Sequence, residues 1–346
     1  PAAPAAVEPP ALAVPLPESC LTRKDVIGLS RVVEIDTAGG PRFGSLQYHG
    51  NDFLADGEVV LTFDDGPLRR NTQAILDALD AQCTRATFFI VGRMALADSE
   101  MLKEVAKRGH TIGNHTWSHK NLAGTTAPTF KQEIELGLSM TTAALGHPVA
   151  PFFRYPYLAH NKPSLAYLAG RNTSVFSIDV DPKDFMTHDP AVVIKKVMGL
   201  LEKQHKGIIL FHDIQPGTAK ALPSLLAEMK SKGFKVVHLI ASTTATTLPE
   251  YDAMAAKLLA KKTGTPVAAA GKGEVNATGL VQPTSAATEQ PGAASDQLPW
   301  EGDSSQGAEP AAPEDPTPPA RTRSRPVQAP PAADDPSWQL RGYIGN

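Results

Sequence analysis

The stretch "VVLTFDDGP", residues 59–67, sets the reading of this chain. Apolar and β-branched residues run unbroken from Val59 to Phe63, the pattern of a strand buried on both faces. Two adjacent carboxylates follow, Asp64 and Asp65, and then Gly66 and Pro67, which end a strand. Like charges at the end of a buried strand repel each other and lose water, which is costly without compensation. A turn with a helix cap explains the dipeptide by itself. A bound cation is the sharper explanation, and the rest of the chain has to supply its other ligands.

Working outward, short apolar runs alternate with helical patterns. Strands are predicted at 58–63, 85–91, 110–115, 151–156, 173–181, 207–213 and 234–239. Helices are predicted at 71–82, 98–109, 128–146, 163–170, 189–203 and 221–233. Asp98 or Ser99 serves as an N-cap, Gly109 and Gly146 as stops, and Pro190 as a first helical residue. About seven such alternations imply an α/β fold with a parallel sheet covered on both sides. A barrel-like closure and an open doubly wound sheet both fit that count. No glycine-rich phosphate loop follows the first strand; "FDDGPLRR" there would repel a pyrophosphate.

In parallel α/β folds the site lies beyond the C-terminal ends of the strands. Five predicted strand ends deliver ionisable groups to that rim: Asp64-Asp65, His115 and His119, Arg154, Asp181 and Asp184, and His212. His115 and His119 are spaced i, i+4, which on a helical turn puts both imidazoles on one side. With one carboxylate they make a two-histidine, one-carboxylate set with open coordination positions. Zinc is the default ion, and iron, cobalt or nickel also fit. The second carboxylate is then free to take a proton from a water acidified by the ion. Arg154 is placed to keep such a base ionised. His212 reads either as a core histidine or as a general acid held by Asp184.

These motifs resemble those of the NodB-homology polysaccharide deacetylases, carbohydrate esterase family 4. The resemblance covers residues 58–240. It runs through Thr62-Phe63-Asp64-Asp65-Gly66-Pro67, His115-Thr116-Trp117-Ser118-His119, Arg154-Tyr155-Pro156-Tyr157, Asp181-Pro182-Lys183-Asp184-Phe185 and Leu210-Phe211-His212. Phe185 stands where the family usually has Trp, which puts the substrate wall in question. The resemblance implies a distorted (β/α) barrel of about seven parallel strands. It also implies metal-dependent removal of N-acetyl groups from N-acetylglucosamine-containing glycans such as chitooligosaccharide, peptidoglycan or an exopolysaccharide. By that likeness Asp64 is the base, with Arg154 orienting it. Asp65, His115 and His119 hold one divalent ion, most often Zn2+, with Co2+, Ni2+ or Fe2+ as alternatives. His212 is the acid, supported by Asp184. The Tyr155 N–H helps hold the oxyanion, and Leu210 lines the pocket for the acetyl methyl. An O-acetyl esterase of the xylan type is an alternative within the enzyme class. A glycan-binding envelope protein without turnover is an alternative outside it.

Composition bounds the rest. Of 31 prolines, six lie in residues 1–17 and thirteen in 264–346. Such Pro/Ala-rich segments bury too little apolar surface to offset about 1–2 kcal/mol of ordering entropy per residue. Residues 1–17 therefore read as a flexible arm and 250–346 as a disordered tail. Residues 18–57 read as a capping segment, with "GGPRFGSLQYHG" as hairpin or loop material. His49 belongs to that segment. A net charge of −3 excludes a broadly basic nucleic-acid binder. Arg321, Arg323 and Arg325 form a small basic cluster, and Trp300 and Trp338 are candidate anchors to a cell envelope. No apolar run reaches the length of a membrane span. Cys20 and Cys83 form either one disulfide, which needs an oxidising compartment, or two buried thiols. The Pro/Ala-rich start at Pro1 fits removal of a targeting peptide, and a trimmed chain fits it equally. Together these give a periplasmic or secreted protein as the expectation.

Overall fold

A computed structural model describes residues 15–48 and 50–264. The chain divides into units 1–273 and 274–346, and every described residue lies in the first. The expectations for His49, for residues 1–14, for the arginine cluster and for Trp300 and Trp338 lie outside the described residues.

The strands are β1 (Arg31–Ile35), β2 (Arg42–Phe43), β3 (Glu58–Asp64), β4 (Thr87–Ile90), β5 (Thr111–Asn114), β6 (Phe152–Phe153), β7 (Ser174–Phe176), β8 (Gly207–His212) and β9 (Lys235–Ala241). The helices are α1 (Glu18–Leu21), α2 (Arg69–Ala81), α3 (Gly92–Ala97), α4 (Ser99–Lys107), α5 (Ala127–Leu145), α6 (Lys162–Gly170), α7 (Pro190–Gln204), α8 (Pro216–Ser231) and α9 (Pro249–Thr263). Every ladder among the described residues is parallel. The order runs β1-β9-β3-β4-β5-β6-β7-β2, with β8 also paired to β3.

The barrel is distorted at one seam. Residues 173–181, expected as one strand, pair as a strand only over Ser174–Phe176. The chain then dips, and Asp179 N and Val180 N both donate to Ile208 O. A single bridge, Val180 to Ile209, joins this segment to β8. The physical reason is Arg154, whose guanidinium occupies the carbonyls of Phe176 and Ser177 that a ladder would have used.

Strand alternation sorts the core. On β3, Val59, Leu61 and Phe63 face the helices, where they pack with Leu76, Leu79, Val197 and Leu225. Val60 faces inward with Phe89, Phe152, Phe176 and Ile208. Thr62 and Asp64 follow Val60 on that inner face, and Asp64 is buried although charged.

Three expectations are corrected. Residues 39–48 and 50, read as hairpin or loop, are loop apart from β2, which pairs with β7 and not with a hairpin neighbour; β1, not among the predicted strands, pairs with β9. The tail does not begin at 250, because Pro249–Thr263 is a helix. Its Ala255 is fully buried, and Tyr251, Leu258 and Leu259 pack on the core beside α5. α8 starts at Pro216 rather than Ala221, with Pro223 inside it. Cys20 and Cys83 form a disulfide, fastening α1 to the second residue beyond α2.

Candidate active site

Asp64 and Asp65 leave β3 in different conformations. Alternation would send Asp65 outward, away from Asp64. Instead Asp65 adopts φ 80°, a left-handed conformation that costs a non-glycine residue roughly 1–3 kcal/mol. Gly66 must be glycine, because a Cβ there would stand 2.0 Å from the Asp213 carboxylate. Turned this way, Asp65 Oδ1 lies 3.1 Å from His119 Nε2 and 3.4 Å from His115 Nε2. Burial by itself would raise the Asp65 carboxyl, and His119 and His115 outweigh it, holding it well below the usual range.

The two histidines are not on a helical turn. Residues 115–119 form a loop with Thr116 at φ 68° and His119 at φ 60°. The loop is moulded on α5. Glu133 accepts from the Ser118 N–H and hydroxyl, and its carbonyl accepts from Trp117 N. Gly137 lets the helix approach, since a Cβ there would stand 2.6 Å from the Thr116 carbonyl carbon. His115 Nδ1 lies 2.7 Å from Arg154 O, which can only accept, so Nδ1 carries the proton and Nε2 offers its lone pair. The spacing found the pair, but a loop rather than a helix brings them together.

Asp65, His115 and His119 each present one donor atom within 4.8 Å of one another. Asp65 Oδ1 is buried with no hydrogen-bond partner. A buried carboxylate oxygen facing two imidazole nitrogens is the donor set of a divalent cation such as zinc. The residues therefore fit the ion that the sequence implied.

Arg154 is fully buried and joins both halves of the site. Nη1 donates to Asp64 Oδ1 and to Thr62 Oγ1, both at 2.7 Å. Its guanidinium lies 4.3 Å from the Phe89 ring centroid. Burial lowers its pKa and Asp64 opposes that shift. On the far side His212 Nδ1 donates to Asp184 Oδ1 at 2.6 Å. Asp184 Oδ2 accepts from His212 N and from the Thr218 hydroxyl. Burial pulls His212 down, but Asp184, Asp65 and Asp64 push it up to about 10.

Leu210 shares the inner face of β8 with His212 and is buried beneath it. Phe185 is half-buried with its ring edge-on to His212 at 5.7 Å. The Tyr155 side chain turns away, donating to Ser164 Oγ and packing on Phe153, so only its backbone can serve the site. Tyr157 is 48% exposed and meets His119 edge-on at 4.7 Å. Asp181 does not join the cluster; its carboxylate accepts from Lys183 N and shapes a turn. Asp213 was missed, although it follows His212 directly. Burial, helped by Asp65 and Asp64, raises it to about 7 against the pull of the Thr72 hydroxyl. Glu133 and Thr218 were also missed, because neither lies in a motif.

The polysaccharide deacetylase family profile matches residues 54–173. A peptidoglycan-N-acetylglucosamine deacetylase of Listeria monocytogenes is 32% identical over 184 residues, covering 52% of this chain and 38% of that protein. One from Bacillus cereus is 31% identical over 188 residues, covering 53% of this chain and 66% of that protein. The solved structure of a Bdellovibrio bacteriovorus peptidoglycan deacetylase superposes with a TM-score of 0.57 at 33% identity, covering 64% of this chain and 61% of that one. This chain belongs to the polysaccharide deacetylase family. Its matched region spans only 38% of the Listeria protein and at most about two thirds of the other two.

Proposed function

We propose that this protein is a metal-dependent hydrolase that removes N-acetyl groups from N-acetylglucosamine-containing glycans, with peptidoglycan as the first candidate and chitooligosaccharide next. The observation that carries the reading is one rim holding a carboxylate base beside an arginine, a three-ligand cation set, and a protonated histidine opposite. The relatives named as peptidoglycan deacetylases support the substrate class. A glycan-binding protein without turnover has no need of the complete set.

Asp65, His115 and His119 would hold the ion, which supplies polarisation of the acetyl carbonyl and acidification of a water. Asp64 takes a proton from the attacking water, and Arg154 holds that carboxylate in place through Nη1. The Tyr155 N–H donates to the developing oxyanion. His212 gives its proton to the departing nitrogen, because an amide nitrogen leaves poorly unless protonated. Asp184 holds the imidazole in the tautomer and charge that this requires. One water is consumed, the amide C–N bond breaks, and acetate and a free amine result.

The disulfide supports an oxidising compartment, hence a periplasmic or secreted protein. Among the described residues no helix is long and apolar enough to cross a membrane. The test is acetate release from peptidoglycan and from N-acetyl chitooligosaccharides, before and after chelation and with zinc restored. The expected result is release that chelation abolishes and zinc restores. Protein that binds zinc yet releases no acetate from any N-acetylated glycan overturns the reading.

A further inference from the structure

Residues 44–48 lie just outside the family match, which begins at residue 54, yet they are built into the wall of the site. Gly44 has φ 97°, and a Cβ there would stand 2.5 Å from the Ser177 carbonyl carbon, so only glycine allows this approach. The Ser45 N–H and hydroxyl both donate to Asp179 Oδ1, whose second oxygen accepts from Ile208 N. Leu46 N donates to Ile178 O. Tyr48 lies against His160, with ring centroids 5.8 Å apart. The segment is thus pinned to residues 177–179 before Gln47 is considered.

The Gln47 amide spans the gap to the other side. Its Oε1 accepts from the Ser177 hydroxyl at 2.9 Å, and its Nε2 donates to Leu158 O at 2.7 Å. Ser177 O accepts from Arg154 Nη2 at 3.2 Å, and Arg154 holds Asp64. Leu158 follows Tyr157, the exposed ring that meets His119. Tyr157 and Leu158 sit at φ 58° and 55°, two consecutive non-glycine residues in the left-handed region. Each costs about 1–2 kcal/mol relative to an ordinary conformation. A turn that is locally unfavourable persists only when its surroundings hold it. Gln47 supplies such a tie from 111 positions away along the chain.

We propose that Gln47 is a positioning residue for glycan selection. It fixes the turn at residues 156–158 so that the Tyr157 ring stands ready beside the metal-site histidine to stack against a sugar of an extended N-acetylated glycan. The C–H face of a pyranose is apolar and suits the negative face of an aromatic ring. The inference rests on the deacetylase reading and adds a determinant of sugar binding from outside the matched region.

The experiment compares zinc-loaded wild-type protein with Gln47→Ala and Gln47→Glu. Two substrates are used: an N-acetylglucosamine tetrasaccharide and a small acetyl ester that carries no sugar ring to stack on Tyr157. The glutamate variant keeps the shape and the bond from the Ser177 hydroxyl but cannot donate to Leu158 O. Both variants are expected to raise KM for the tetrasaccharide about fivefold while kcat changes much less. The preference for the tetrasaccharide over the ester falls by a similar factor. Unchanged KM in both variants overturns the proposal. So does a loss of kcat that falls equally on both substrates, which would place the effect in the Arg154–Asp64 pair. Wild-type protein inactive on both substrates but active on peptidoglycan overturns this proposal; inactivity on peptidoglycan as well overturns the deacetylase reading itself.

Discussion

The two ends of the barrel bury the same residue type and treat it oppositely. At the C-terminal rim, burial pulls His212 down and Asp184 overcomes it, leaving the group at about 10. At the other end His110 and His238 are just as buried, and both are pushed down, His238 to about 4. Desolvation is the first cause in all three. The difference lies in the neighbouring charge: three carboxylates face His212, whereas Arg85 faces His110 and His238. The lower histidines act as neutral hydrogen-bonding groups. His110 Nδ1 accepts from Ala86 N. The Thr111 hydroxyl donates to Leu239 O, so His238 Nε2 donates to Thr111. Burial alone therefore makes no site; the sign of the nearest charge decides whether an imidazole carries a mobile proton.

The sharpest way to break the comparison is to remove one ligand from the proposed cation site at the rim. Asp65→Ala removes one of three converging ligand atoms. Bound zinc should fall well below one equivalent, and acetate release should drop by at least about 10³-fold. Metal analysis beside the activity assay checks both, and full zinc occupancy in the variant would break the ligand assignment.

Asp184→Asn tests the charge argument at His212. The amide can still accept from Nδ1 but brings no negative charge. Activity should fall about 10²-fold, and the alkaline limb of the pH profile should move down from near 10 by more than a unit. A cation on Asp65 cancels that carboxylate's pull, so Asp184 dominates in the loaded protein. The sign for stability follows from linkage. The folded pKa exceeds the unfolded value of about 6.5. The His212–Asp184 contribution is therefore full below about pH 6.5, and it is lost as pH rises through about 10. The variant should lack that alkaline loss in a melting series.

The smallest effect belongs to the opposite end. His238 has a folded pKa near 4, below its unfolded value, so the unfolded chain gains a proton that the folded chain refuses. Its contribution is present above about pH 6.5 and is lost as pH falls toward 4. His238→Gln should flatten the melting curve against pH in that window and leave acetate release near neutral pH within about twofold of wild type. A large loss of activity would mean that the two ends are coupled.

Much of this architecture was legible because it is local. The unbroken run "VVLTF" marked β3, and the Asp64-Asp65 pair marked its C-terminal end. Asp98, Pro190 and Gly146 marked helix ends where the structure puts them. β1 and β2 were not legible, because their partners lie far along the chain, as with Arg31 and Val237. A strand as polar as "RVVEI" gives no signal without that partner. α9 was hidden by averaging composition over a long tail, although Pro249 and the Tyr251–Leu258–Leu259 pattern were there to be read. The spacing of His115 and His119 found two imidazoles that come together, but not on the helical turn expected, because Glu133 and Gly137 shape that loop from a distant helix.

The sequence by itself determined which strand ends carry the ionisable groups, because the apolar runs mark the strands and the residues that end them. Only the tertiary structure decided what those groups do to one another. The left-handed turn at Asp65, the opposed shifts of His212 and His238, and the Gln47 tie across the wall all depend on partners brought together through space. Charge and hydrogen bonding act over a few ångströms, and the chain order of this protein does not encode those distances until the barrel is formed.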